Sequence, residues 1–296
     1  MLVLLLLAVV AISLGDQIYL LSTPLSWPVP FLYVLDSNSG QVTQLYVLKL
    51  STLIMAMTFN SSTNTVALMS LRNVEQVNIG TGKVTSYPLL PGPTYGMAQS
   101  TGELFVLVRT EHDSSELVSL PSFQSHPIPI AFDPTWGSAV AASTKSVYLV
   151  GSATLTSAWS PTSHTPVHAT VFTFSLSTLS LSNTVNLSCE GSFNSLVWNS
   201  QQSSLIGILW STSTTGQSPS PHLATVDPQS GCCTLLLALP LAVVGSDCAA
   251  FSNSLQEFYY LAYQQLHTIS LPSLTQTSIP LSANITAGYL TCVSQL

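Results

Sequence analysis

Side chains able to do chemistry are sparse in this chain, and their spacing narrows what they can do. His112 lies between Glu111 and Asp113, His164 and His168 stand four apart in HTPVH, and His222 closes SPSPH. Imidazoles and carboxylates of this kind hold a metal only where three or four converge. On a helix His164 and His168 would share a face, but Pro166 between them opposes that helix. Histidines in exposed loops are the competing reading, and no metal is expected. Asp36 and Asp227 begin DSNSG and DPQSG. There a carboxylate accepts backbone N–H groups of a tight turn, while Gly40 and Gly231 take a positive φ. The sequence therefore assigns both aspartates to turns and not to ligation. Serine is abundant, yet no G-x-S-x-G stands in a strand–turn–helix setting, so no nucleophile is singled out.

Composition limits the partners. The chain has 296 residues and is 46% hydrophobic, so a large core is available. Only 6% of it is charged, against roughly 25% in ordinary globular domains. Five Lys and Arg in total cannot track a phosphate backbone, which excludes nucleic acid. The start, MLVLLLLAVVAISLGDQ, has an apolar run from Leu2 to Ile12 followed by small residues at Ser13 and Gly15. It predicts a secretory signal peptide over residues 1–15, cut before Asp16. The run is short for a membrane span, which needs roughly 20 residues. No transmembrane segment is expected in the mature chain. Sequons at Asn60, Asn186 and Asn284 agree with secretion and predict N-glycosylation. The cysteines are Cys189, Cys232, Cys233, Cys248 and Cys292. An odd count leaves at least one unpaired within a secreted chain, and their pairing stays open.

These groups must be carried by a repeated scaffold. LYVLDSNSGQV, VNIGTGKVTSY and ATVDPQSGCCT write one hairpin three times, and SLPSF, SLSTL and SLPSL write its turn three times more. Taking Asp36, Ile79, Leu120, Leu176, Asp227 and Leu271 as the last residue before each turn gives steps of 43, 41, 56, 51 and 44 residues. A strand-rich period in the low forties is the mark of propeller blades. Each unit adds a strand with small residues, such as Gly96 and Ala98, then a bulkier apolar strand. The prediction is an all-β, six-bladed propeller of four-stranded antiparallel blades over residues 16–296, with strands a to d running outward. Blade 1 spans about 16–50 plus 285–296, its innermost strand being supplied by the C-terminal segment ITAGYLTCVSQL. The others span 51–93, 94–134, 135–190, 191–243 and 244–284.

LYVLDSNSGQV and VNIGTGKVTSY resemble the YVTN and quinoprotein amine dehydrogenase-like group of propellers. The resemblance implies the fold over nearly the whole mature chain. It does not imply a cofactor. The repeated Thr-Gly with its docking Trp is reduced here to one Thr81-Gly82-Lys83 with Tyr87 nearby, and the inward Glu, Asn and Asp that hold Ca²⁺ in six-bladed lactonases have no counterpart.

Strand order puts the b–c and d–a connections on one face and the a–b and c–d turns on the other. Blades 4 and 5 owe their extra length to b–c connections, at 151–170 and 211–222. Long connections on one side of a rigid scaffold are usual binding elements. Candidate ligand contacts on that face or its rim are Tyr95, His112, Trp136, Trp159, His164, His168, Trp210 and His222, with aromatics suited to stacking on sugar or anchoring a protein. The expected function is non-catalytic binding of an extracellular protein or glycan by a secreted module. The alternative is a secreted hydrolase or oxidoreductase with its site at the mouth of the central channel.

Overall fold

The computed structural model describes residues 17–22, 31–48, 54–60, 63–100, 102–110, 114–128, 139–151, 168–211, 220–240, 249–282 and 288–293. The expected leader at 1–15 lies outside these residues, as do His112, Trp136, Trp159, His164, Cys248 and Asn284. No helix among the described residues is long and apolar enough to cross a membrane.

The described residues form twenty-four strands in six four-stranded antiparallel sheets. Blade 1 holds β1 (Gln17–Ser22), β2 (Phe31–Asp36), β3 (Val42–Val47) and β24 (Gly288–Val293), in the order β24-β1-β2-β3. Blade 2 is β4 (Ile54–Asn60), β5 (Thr65–Ser70), β6 (Val74–Asn78) and β7 (Val84–Ser86). Blade 3 is β8 (Thr94–Ser100), β9 (Glu103–Arg109), β10 (Ser115–Leu120) and β11 (Gln124–Pro127). Blade 4 is β12 (Ala139–Ala142), β13 (Ser146–Gly151), β14 (His168–Ser175) and β15 (Ser180–Glu190). Blade 5 is β16 (Ser192–Asn199), β17 (Ser204–Ser211), β18 (Ser220–Val226) and β19 (Cys233–Ala238). Blade 6 is β20 (Ala249–Ser252), β21 (Glu257–Ala262), β22 (Gln265–Ser270) and β23 (Thr275–Pro280). The fold is the propeller that the repeat predicts. Gln17 to Ser22 of β1 pair in continuous register with Val293 to Gly288 of β24, and β24 also touches β20 and β4.

Position within a blade explains each strand's composition. A b strand is pressed between two neighbouring blades, so it reads as an apolar run and not as an alternation. In β9 every residue from Leu104 to Val108 is buried. The outermost strand faces water on one side and alternates. In β15 the exposed Ser180, Ser182, Thr184 and Asn186 interleave with the part-buried Leu181, Asn183 and Val185.

The core is six apolar clusters, one at each blade–blade seam. Phe105, Leu149 and Phe172 seal blades 3 and 4, and Ile206, Phe258 and Tyr260 seal blades 5 and 6. Ile18, Leu35, Tyr259 and Leu266 seal blades 6 and 1. Burying each such side chain stabilises the fold by about 1.5–3 kcal/mol. Blades 5 and 6 are also joined by a buried pair of amides. Asn199 Nδ2 donates to Gln256 Oε1 at 3.0 Å, and Gln256 Nε2 donates to Asn199 Oδ1 at 3.2 Å.

The repeated hairpin turns obey one rule, and the structure corrects the alignment made from sequence. The fifth residue of each turn has a positive φ: Gly40 at 67°, Gly82 at 69°, Phe123 at 55°, Leu179 at 49°, Gly231 at 73° and Leu274 at 53°. Counting back four residues, the first positions are Asp36, Asn78, Ser119, Ser175, Asp227 and Ser270. Ile79, Leu120, Leu176 and Leu271 sit one residue later. Asn78 shows why. Its Oδ1 accepts the Thr81 N–H at 2.9 Å and the Thr81 hydroxyl at 2.9 Å, as Asp36 Oδ1 accepts the Ser39 N–H at 2.8 Å and hydroxyl at 2.7 Å. The side-chain acceptor, not the last apolar residue, fixes the turn.

The turn glycines also set how closely blades approach. A Cβ on Gly40 would stand 2.5 Å from the Pro280 carbonyl of blade 6. One on Gly82 would stand 2.6 Å from the Tyr46 ring of blade 1, and one on Gly231 would overlap the Asn186 carbonyl of blade 4. Left-handed backbone costs an L side chain roughly 1–2 kcal/mol before any clash. Gly231→Ala should therefore lose more than about 2 kcal/mol in urea unfolding, strain and overlap together. Leu274→Gly should stay within about 1 kcal/mol of the parent, because relieved strain offsets the greater freedom of the unfolded chain. A Gly231→Ala protein with unchanged unfolding would show that the turn does not set the seam.

Candidate binding face

The antiparallel order places the b–c and d–a connections on one side of the ring. On that side β13 ends at Gly151 and β14 begins at His168, while β17 ends at Ser211 and β18 begins at Ser220. The two b–c connections are thus residues 152–167 and 212–219, shorter than the sequence suggested. His168 and His222 belong to strands and not to loops. The prolines at 166, 219 and 221 hid the strand starts, since proline breaks a period-2 pattern without excluding a first strand residue.

Pairing brings a line of residues together along the rim of blades 4 and 5. His168 stands opposite Glu190 across β14 and β15. Gly191 alone separates β15 from β16, and Ser192 stands opposite Trp210 across β16 and β17. Trp210 pairs with Pro221, and Leu209 pairs with His222. The His222 ring nitrogen Nδ1 lies 3.1 Å from the Ser220 carbonyl, and the Ser211 hydroxyl donates to that carbonyl at 3.2 Å. Trp210 is part-buried and packs on the blade 5–6 seam. Tyr95 is part-buried and packs on the blade 3–4 seam, away from this line. Of the eight expected contacts, His168, Trp210 and His222 therefore share a rim and Tyr95 does not. Glu190 was missed by the sequence reading. A lone carboxylate before a glycine, in a chain this poor in charge, was the available signal.

The inner wall is distinctive. Its strands read GYLTCV, IMAMTFN, TYGMAQS, AVAA, SFNSLVWN and AAFS. These six strands contain no Asp, Glu, Lys, Arg or His. Among the described residues no three His, Cys, Asp or Glu gather as a metal site. By composition these strands are apolar, with a few amides and hydroxyls between.

One covalent bond ties this region. Cys189 on β15 and Cys233 on β19 form a disulfide with a Cα–Cα distance of 5.6 Å. Cys232 is a free, exposed thiol. Sequence alone left the pairing open because the bond joins outer strands of different blades.

No family model matches the chain, and no curated protein matches it in sequence. Solved structures do match. One is TolB from Acinetobacter baumannii, with a TM-score of 0.67 and 12% identity, covering 95% of this chain and 67% of that one. At that identity the likeness carries the propeller fold alone. It does not support the YVTN group in particular.

The opposite face holds the turn aspartates, whose carboxylates accept donors of their own turns. Asp36 Oδ1 takes the Ser39 hydroxyl and the N–H groups of Ser39 and Asn38. Asp227 takes the Ser230 hydroxyl at 2.6 Å and the Gln229 N–H at 2.8 Å. The Ser39 hydroxyl, ahead of the backbone donors, holds the Asp36 carboxyl below its ordinary range, and the Ser230 hydroxyl does the same for Asp227. A carboxyl depressed in the fold adds stability above its unfolded pKa of about 3.9, lost as pH falls through the lower folded value. Thermal unfolding between pH 6 and 2 should show this loss. An Asp36→Asn/Asp227→Asn protein, which copies the Asn78 turn, should lose less over the same acid range. Identical acid profiles for both proteins would remove the turns from the account.

Proposed function

We propose that this is a secreted, N-glycosylated propeller that binds an extracellular protein or carbohydrate without catalysis, through the face bearing the 152–167 and 212–219 connections. The observation that carries this reading is the inner wall. The axis of a propeller is where a channel-mouth enzyme would gather carboxylates or imidazoles, and the six described inner strands carry neither. The disulfide supports secretion, because such bonds persist in oxidising compartments. The apolar run before Asp16 supports it independently.

The sequons are not equivalent. Asn186 is exposed on the outer strand β15, with Thr170 donating to its Oδ1 at 3.0 Å. Asn60 is 5% exposed, and its Oδ1 accepts the Thr63 N–H at 3.2 Å. A glycan on Asn60 would have to be buried with it. Mass spectrometry of material secreted by eukaryotic cells should find an N-terminus near Asp16 and a glycan on Asn186, with Asn60 bare. Intact chains starting at Met1 and confined to the cytosol would overturn secretion, and a fully occupied Asn60 would overturn the order of the sites.

The binding face is tested by replacing residues 152–167 with a short Gly/Ser linker. Loop-closure entropy changes only logarithmically with length, so the melting temperature should hold within a few degrees. Binding to glycans arrayed on a chip, or to immobilised extracellular proteins, should fall at least tenfold. Binding that survives this replacement and fails on changing the turns at Asp36 and Asp227 would assign the ligand to the opposite face.

A further inference from the structure

Three cysteines lie at the outer seam of blades 4 and 5. Cys189 and Cys233 are bonded to each other, and Cys232 carries an exposed thiol directly beside them. The backbone holds Cys232 against the strand that bears Cys189. Ser188 N–H donates to the Gly231 carbonyl at 3.0 Å, and Cys233 N–H donates to the Ser188 hydroxyl at 2.8 Å. The residues on both sides of Cys232 are thus pinned to the residue just before Cys189. From Cys233 to Cys232 is one Cα step of about 3.8 Å, and bridgeable cysteines have Cα atoms roughly 4.4–6.8 Å apart.

We propose that Cys189, Cys232 and Cys233 form an exchange site, in which the bond across the blade 4–5 seam passes between Cys233 and Cys232. The Cys232 thiol gives its proton to solvent and the thiolate attacks Sγ of Cys189. The Cys189–Cys232 bond forms, the Cys189–Cys233 bond breaks, and the Cys233 thiolate takes a proton from solvent. One disulfide and one thiol enter and leave, so no oxidant is consumed. Thiolate attack on a neighbouring disulfide needs access and alignment, and an exposed adjacent thiol meets the first condition. The seam then has two covalent states that differ by one residue in the attachment of β19 to β15. These are the outer strands of blades 4 and 5, whose b–c connections span residues 152–167 and 212–219.

The test is a peptide map. The full secreted chain is held at pH 8 with a trace of reduced glutathione, quenched with acid, alkylated and digested, and the linked residue is located by fragmentation. Both Cys189–Cys233 and Cys189–Cys232 species should be present. Cys232→Ser should give the first alone. Cys233→Ser should give the second, with Cys189 protected from alkylation and melting within a few degrees of the parent. A parent protein with only Cys189–Cys233 after equilibration overturns the proposal, and so does a Cys232 bonded instead to Cys248 or Cys292. If Cys233→Ser fails to fold, the map of the parent decides alone.

Discussion

A four-stranded blade has two apolar faces and cannot bury either by itself. Everything else in this molecule follows from pressing six such sheets face to face. The approach is limited at the rim, where the c–d turn of one blade meets the outer strand of the previous one. Gly40, Gly82 and Gly231 stand at that contact, against Pro280, Tyr46 and Asn186. Their positive φ and missing Cβ serve two ends at once. The left-handed residue reverses the hairpin, and its bare surface lets the neighbouring blade close over the core. Blades 3, 4 and 6 make the same turn with Phe123, Leu179 and Leu274. There strain is accepted, and at Leu179 the side chain is returned to the apolar seam.

This division explains what the sequence made legible. The period, the strand order and the small residues of the inner strands are consequences of one unit repeated, so a single chain displays them. Asp36 and Asp227 were correctly read as turn residues because an acceptor four residues before a glycine has a local mechanism. Ile79 was misplaced by one because the alignment followed apolar residues, while the turn follows Asn78. The unusual φ of Leu274 was invisible, since nothing in SLPSL marks a leucine as left-handed. Blade 4 to blade 5 was harder still. The Cys189–Cys233 bond, the pairing of His168 with Glu190 and the single-residue passage at Gly191 arise from how one unit meets another. Local pattern carries no record of that.

The scarcity of charge shapes both fold and function. With so few charged residues, the seams are sealed by apolar contact and by neutral amides, as in the Asn199–Gln256 pair. A buried amide pair costs less to desolvate than an ion pair and still fixes register through two hydrogen bonds. The same scarcity leaves the six described inner strands without a charged or imidazole side chain. Recognition by stacking, shape and neutral hydrogen bonds is what such a surface does well. His168, Glu190 and His222 are exceptions, and all three lie on the rim that carries the long connections.

Magnitudes connect that rim to the disulfide. Blade 6 turns from its b strand to its c strand with Tyr263 and Gln264 alone, whereas blades 4 and 5 spend residues 152–167 and 212–219. Closing connections eight and four times longer costs about 1.8 and 1.2 kcal/mol more, by the logarithmic scaling of loop entropy. A disulfide whose cysteines are 44 residues apart removes about 4 kcal/mol of freedom from the unfolded chain on the entropy model. The bond thus more than offsets the two insertions, and it sits at the seam between the blades that carry them. Loop length in the b–c connections and covalent attachment of the outer strands are two sides of one balance. Blade 1 spends residues 23–30 on its own b–c connection, so the offset is particular to blades 4 and 5, where Cys189 and Cys233 join the outer strands.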